Sequence, residues 1–274
     1  MIIAIGEGIS LHIKKPDREN QSYPSCRIQK GPLIFHENRD LSEEGVGFGV
    51  PILKFGEMAV FPGSGQFESM KRTDRTQIMI SYNLNIVEMI AIRGNNIQNR
   101  IIHSVKESLS RLHREYDFSR KLLAAGSNVL RQSLGIITGF EEIPSVGVAC
   151  MKYIITSDGM IHIRADLSRI KKEGCTEIMI MNEQGANYFD TYSDSNGTIL
   201  LGNSIGSWQE TSCNENSFIH AENGFAFTLT KIDGSKMFYG RELVKNRLSW
   251  SGIAYSIPPY LQNFAYYIKI GFKK

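Results

Sequence analysis

Three titratable side chains alternate along Met160–Leu167: His162, Arg164 and Asp166, with Ile161, Ile163, Ala165 and Leu167 pointing the other way. Alternate residues of a strand share a face at a spacing of ~7 Å, so the three could converge on one polar ligand. Arg164 offers a planar donor fork to a carboxylate or to vicinal hydroxyls, and His162 is the group able to move a proton near neutral pH. The wet face of a half-exposed sheet carries residues of the same kind.

A second set is Trp208-Gln209-Glu210, with Tyr188, Phe189, Asp190 and Tyr192 shortly before it. A sugar ring stacks its C–H face on an aromatic ring while its hydroxyls seek donors and acceptors, and Trp208, Glu210 and Tyr192 are of that type. An aromatic-rich core uses the same residues, with polar tips kept wet. The third set is His220 and Glu222, two apart before the Asn223-Gly224 turn, an acid and a base of the kind that could flank a bound carbohydrate; Glu44 is another such carboxylate. Beside these stands Gly45-Val-Gly-Phe-Gly49, a strand face with no side chains on it. Gly47, at its centre, marks a place where another backbone, an aromatic ring or a ligand comes close.

The elements that must position these residues are strands. From Arg75 to Arg93 the apolar residues Ile78, Ile80, Tyr82, Leu84 and Ile86 alternate with polar ones, which predicts one long strand or two in tight succession, with a break or bulge near Asn83–Asn85. Ile52–Phe55 and Met58–Phe61 form a hairpin, followed by a charged connector from Glu68. The period then changes: Ile97, Ile101, Val105, Leu109, Leu112 and Tyr116 predict an amphipathic helix over Ile97–Ala125. After it come strands at Leu134–Phe140 and Val146–Thr156, the Ser157-Asp158-Gly159 turn into Met160–Leu167, a hairpin from Glu177 through Gly185 to Tyr192, and further strands joined by Asn-Gly and Asp-Gly turns. With about fifteen strands and one helix, a parallel sheet with its crossover helices is excluded. The reading is mainly β: one large antiparallel β-sandwich domain over 1–274 with a helical insertion at 97–125.

Composition narrows the function classes. The chain has 274 residues and a net charge of +3, no footing for a nucleic-acid partner, which needs a concentrated basic face. Cys26, Cys150, Cys175 and Cys213 are far apart, read as reduced thiols of a cytoplasmic protein. No stretch is long enough for a membrane helix. No metal-binding, nucleophile-elbow or phosphate-loop spacing occurs, so no cofactor or metal is expected.

The strand–turn run Val146–Phe272 together with the hairpin Ile52–Phe61 resembles the galactose-mutarotase-like β-supersandwich class. That class includes sugar epimerases and accessory domains of glycoside hydrolases and polysaccharide lyases. Its epimerases use histidines and a glutamate in a sheet concavity; His162, His220 and Glu222 are the residues of that type here. The resemblance implies a saccharide ligand, with or without a reaction. The alternative is a non-catalytic structural or interaction module, docking through the helix Ile97–Ala125 or a sheet edge.

Overall fold

The computed structural model describes residues 1–6, 8–16, 27–36, 45–56, 58–72, 75–92, 136–156, 158–243 and 249–273. They fall into two compact units, Met1–Val87 with Glu142–Lys274, and Glu88–Glu141. Of the second, the end of one strand and the start of the next are described.

The strands are β1 (Ile2–Gly6), β2 (Ile9–His12), β3 (Leu33–His36), β4 (Gly47–Phe55), β5 (Met58–Lys71), β6 (Arg75–Ile92), β7 (Ile136–Thr156), β8 (Met160–Asp166), β9 (Glu177–Gly185), β10 (Thr191–Asp194), β11 (Ile199–Leu201), β12 (Gln209–Thr211), β13 (Glu215–Ile219), β14 (Phe225–Thr230), β15 (Lys236–Glu242), β16 (Trp250–Ile257) and β17 (Asn263–Phe272). β1–β3 form one small sheet. The other fourteen form a single sheet in the order β11-β10-β13-β14-β17-β8-β7-β6-β5-β4-β9-β16-β15-β12.

Side-chain contacts jump across that order in a regular way. Tyr192 of β10 stacks on Tyr239 of β15 at 3.9 Å. Tyr255 of β16 donates to the Thr230 carbonyl of β14 at 2.6 Å, Tyr266 of β17 to Asn182 Oδ1 of β9 at 2.8 Å, and Tyr153 of β7 to the Phe48 carbonyl of β4 at 2.9 Å. These pairs lie nearly symmetrically about β6 and β5, so the sheet doubles over there and its halves enclose a common core. Ile3, Ile9, Leu11 and Ile13 of the small sheet and its flank join the same buried cluster.

Burial follows position in this fold. β8 and β17 alternate buried and exposed residues almost without exception, as strands with one wet face must. β9 is buried along nearly its whole length and β16 along all of it; they show no alternation because both of their faces are covered.

Several sequence expectations change. The charged stretch after Phe67 is no connector: β5 continues to Lys71, paired with β6 as far as Lys71 opposite Thr76. The irregularity expected near Asn83–Asn85 is there as a bulge and not as a break: β6 runs on to Ile92, but Phe61 faces Ile86 and Pro62 faces Leu84, which leaves Asn85 without an opposite residue, beside Pro62, which cannot donate to the ladder. β9 does not form a hairpin with the segment after Gly185; it lies between β4 and β16, and residues 186–188 are a turn. The helix expected at 97–125 lies outside the described residues, among which there is no α-helix.

The glycine stretch has a definite occupant. The Gly31 N–H donates to the Val46 carbonyl at 2.8 Å, and the Phe48 N–H to the Pro32 carbonyl at 2.9 Å. The chain's own segment at 28–32 thus crosses those glycines. A Cβ on Gly47 would sit 2.5 Å from the Gly31 carbonyl oxygen, and its φ of 89° is one that branched residues avoid. Gly47→Val is therefore expected to cost at least ~2–3 kcal/mol. Urea denaturation checks this, and a variant as stable as the parent would contradict the packing described.

Candidate functional site

The wet faces of β5, β6, β7, β8 and β17 lie side by side in the sheet, and a groove of about 930 Å³ runs across them. That size suits a small ligand, for which sites of ~300–1,000 Å³ are usual. Its floor is set by strand register. Gln66 pairs with Ser81, Cys150 with Asp166, and Asp166 with Asn263. The Ser81 hydroxyl meets the Cys150 sulfur at 3.6 Å and carries the row from β6 to β7. A second row is offset by two residues: Glu68 opposite Met79, then Lys152 opposite Arg164. The residues between, including Ile80, Tyr82, Met151, Tyr153, Ile163 and Ala165, are buried in the core. One alternation therefore supplies both the core and the groove floor.

Some of the groove's polar groups are already engaged. The Asp166 carboxylate accepts from the Ser168 hydroxyl at 2.6 Å and the Ser168 N–H at 3.0 Å. Those two bonds, with Arg169 and Lys172 nearby, hold its pKa below the usual carboxylate range. Arg169 donates to the Cys150 sulfur at 2.7 Å, and Asn83 Oδ1 accepts from Ser145 at 2.5 Å. By contrast, the side chains of Gln66, Glu68, Lys152, Arg164 and Asn263 make no hydrogen bond or ion pair with any other described residue; all five line the groove.

Of the residues singled out from sequence, Arg164 and Asp166 line this groove. His162 shares their strand face one step further along, outside the lining, with its ring 6.4 Å from that of Tyr267. The others are elsewhere. Trp208 stacks on Trp250 at 4.4 Å, so one face of its ring is occupied. Glu210 lies on the edge strand β12 and is ion-paired to Lys236 at 3.7 Å. Tyr192 is fully buried, with its hydroxyl donating to Asn216 Oδ1 at 2.6 Å. β13 ends at Ile219, so His220 and Glu222 share no strand face: His220 is buried against Tyr188 at 4.2 Å and Glu222 is in the exposed turn. Gly47 faces Gly31, which fills the room a ligand would need. Glu44 and the expected docking helix lie outside the described residues; at the sheet edge, β11 exposes Ile199 and Leu201.

Gln66, Asn83, Lys152 and Asn263 were not singled out from sequence. A signal for Lys152 was present. The tight connection from β7 to β8 sets Ile155 opposite Ile161 and hence Lys152 opposite Arg164, and Lys152 alternates with the apolar Met151 and Tyr153. Among the described residues no three His, Cys, Asp or Glu side chains gather to hold a metal ion, and Cys150, Cys175 and Cys213 are free thiols.

No protein-family model matches the chain, and no curated protein matches it. Solved structures do. α-N-Acetylgalactosaminidase NagBb from Bifidobacterium bifidum, in its Gal-NHAc-DNJ complex, is similar over 99% of this chain and 36% of that one, at 8% identity and a TM-score of 0.50. Its GalNAc complex gives a TM-score of 0.49 over the same shares. Galactose 1-epimerase from Lactobacillus acidophilus NCFM is also found, over 99% of this chain and 93% of that one, at 8% identity and a TM-score of 0.27. The chain thus spans about a third of NagBb. At 8% identity the likeness to NagBb concerns the fold alone.

One carboxyl outside the groove is strongly perturbed. Glu183 of β9 is 5% exposed and lies where Gly45 and Gly252 leave room for its side chain. It accepts from the Val46 N–H at 3.1 Å. Burial pushes its pKa up to about 7, against the lowering effects of that bond and of Lys30. Sealed from the groove, it acts on stability. Between ~4.3, the ordinary glutamate value, and about 7, the folded protein keeps a proton that the unfolded chain has released. Stability therefore falls as pH rises through that window and levels off above it. Glu183→Gln should remove this slope and raise stability at pH 8 by about 4 kcal/mol, with little effect at or below pH ~4.3. Denaturation at the two pH values measures it; parallel pH profiles for the two proteins would contradict the assignment.

Proposed function

We propose that the protein binds a saccharide in the groove formed by β5, β6, β7, β8 and β17. The observation that carries this reading is the set of five side chains, Gln66, Glu68, Lys152, Arg164 and Asn263, which line the groove and have no partner among the described residues. Amides, cations and a carboxylate on a strand lattice of about 4.8 Å by ~7 Å match a ligand that presents many hydroxyls on a rigid ring. Carboxamides bind hydroxyls as donor and acceptor at once. The ligand class also agrees with NagBb, a similar fold solved with GalNAc and Gal-NHAc-DNJ, although that likeness is one of fold.

Binding accounts for the arrangement better than glycoside hydrolysis does. Hydrolysis uses a carboxyl pair ~5–9.5 Å apart. The groove's two carboxylates, Glu68 on β5 and Asp166 on β8, are three strands apart in the sheet order, which is about 14 Å between backbones. Asp166 is also tied down by Ser168. His162 belongs to this reading only as a neighbour on the same strand face, one step beyond the lining, and Asp166 as an element of the groove's wall. Trp208, Glu210, Tyr192, His220, Glu222 and Gly47 have no part in it.

Titration with a panel of mono- and oligosaccharides, followed by thermal shift, tests the proposal. A ligand at ~100 times its Kd adds about 2.7 kcal/mol of stability. The double substitution Gln66→Ala with Asn263→Ala should weaken binding roughly tenfold or more while leaving the free protein's Tm nearly unchanged, since neither side chain supports another. Undiminished affinity in this variant, or a flat response to the whole panel, would contradict the assignment.

A further inference from the structure

Lys152 and Arg164 stand directly opposite each other on β7 and β8. Side chains so paired have Cβ atoms ~4.5–5.5 Å apart, and like charges in that position destabilise a sheet. Arg164 reaches solvent, but no carboxylate among the described residues pairs with either cation. The ion pairs among the described residues are Lys54–Glu177, Lys236–Glu210 and Lys273–Glu215, none of them in the groove. Asp166, two residues from Arg164, is held by Ser168, and the charges acting on it are those of Arg169 and Lys172. The strand neighbour of Arg164 on its other side is Ala265, which carries no charge. Glu68, the other carboxylate in the lining, is on β5, beyond β6 and β7 from Arg164. Lys152 is half-buried, so its ammonium is not fully bathed in water. Arg169 adds a third cation to the same lining.

From this geometry we infer that the saccharide is anionic, and that its carboxylate or sulfate group sits between Lys152 and Arg164. The inference rests on the saccharide reading of the groove and names the ligand's charge. An anion placed there turns a like-charge clash into two charge-assisted contacts, with the Arg164 fork bidentate and the Lys152 ammonium as a point charge. The rest of the ring then meets Gln66, Asn83 and Asn263. The groove therefore combines one cationic locus with neutral amide positions, an arrangement suited to an acidic sugar. A neutral sugar would leave the two cations uncompensated.

The test compares a uronate tetrasaccharide, a sulfated galacto-oligosaccharide and a neutral galacto-oligosaccharide of equal length, with inorganic sulfate as control, by calorimetry at low and high salt. The acidic sugars should bind at least roughly tenfold tighter than the neutral one, the gap narrowing at high salt. The stronger of the two acidic ligands identifies the source of the charge. Lys152→Gln and Arg164→Gln should each cut acidic-sugar affinity roughly tenfold, a clearly larger loss than either causes for the neutral sugar. Each should also keep or raise the Tm of the free protein, because a repulsion is removed; a purely structural role for either residue predicts a lower Tm, and that result would overturn the inference. Equal binding of acidic and neutral sugars, insensitive to both substitutions, overturns it while leaving the saccharide reading intact. Failure of every sugar to bind defeats the saccharide reading itself, and binding of inorganic sulfate alone defeats the acidic-sugar assignment.

Discussion

A sheet of fourteen strands that doubles over must bury backbone polar groups wherever its ladder is irregular, and each of them needs a partner. The demanding place is β4. A register shift between Phe48 and Val50 leaves Gly49 out of the ladder, with φ at 70°. Its N–H finds Asn182 Oδ1 at 3.0 Å, and its carbonyl accepts from Tyr153 at 3.3 Å. The same Asn182 oxygen takes the hydroxyl of Tyr266, which reaches across from β17, and Tyr82 meets Tyr153 at 3.1 Å. Burial pushes all three tyrosines far above their ordinary pKa, so they stay neutral donors. This seam joins β4 and β9 in one half of the sheet to β7 and β17 in the other.

The groove follows from the seam. With Tyr82, Tyr153 and Tyr266 committed to the core, the residues between them along β6, β7 and β17 must point outward. Ser81, Asn83, Lys152 and, on β17, Tyr267 do so. β8, between β7 and β17, is held in the same phase by Ile161, Ile163 and Ala165. A shift of any of these strands by one residue would put Lys152 or Arg164 into the core, which fixes their pairing firmly. The cations of the groove are thus positioned by tyrosines that never touch it.

Much of this was legible in the sequence where one strand face is wet and the turns are short. The alternation along Met160–Asp166, just after an Asp-Gly pair, announced β8, its paired neighbour and its polar face, and Arg164 and Asp166 do line the groove. Legibility failed where burial removed the alternation. β9 and β16, covered on both faces, carry no period-two signal, so the place of β9 between β4 and β16 could not be read from local turns. Trp208, Tyr192 and His220 lie away from the groove, which the sequence could not show: aromatic and polar-tipped residues serve a core and a sugar site equally well, and it is the packing partners, Trp250, Asn216 and Tyr188, that place them. The glycines at 45–49 did announce a close approach, but their occupant, a segment at 28–32, has no pattern linking it to them.

The central claim is that the outer face of β5–β8 and β17 is a saccharide site. Backbone amide chemical-shift mapping during titration with an acidic oligosaccharide tests it most directly. The account predicts perturbations concentrated on Gln66, Ser81, Lys152, Arg164 and Asn263, strands away from one another in sequence and side by side in the sheet, with Trp208, Glu210 and His220 unmoved. Shifts centred on Trp208–Glu210 or on His220, or a spectrum unchanged at saturating ligand, would contradict it.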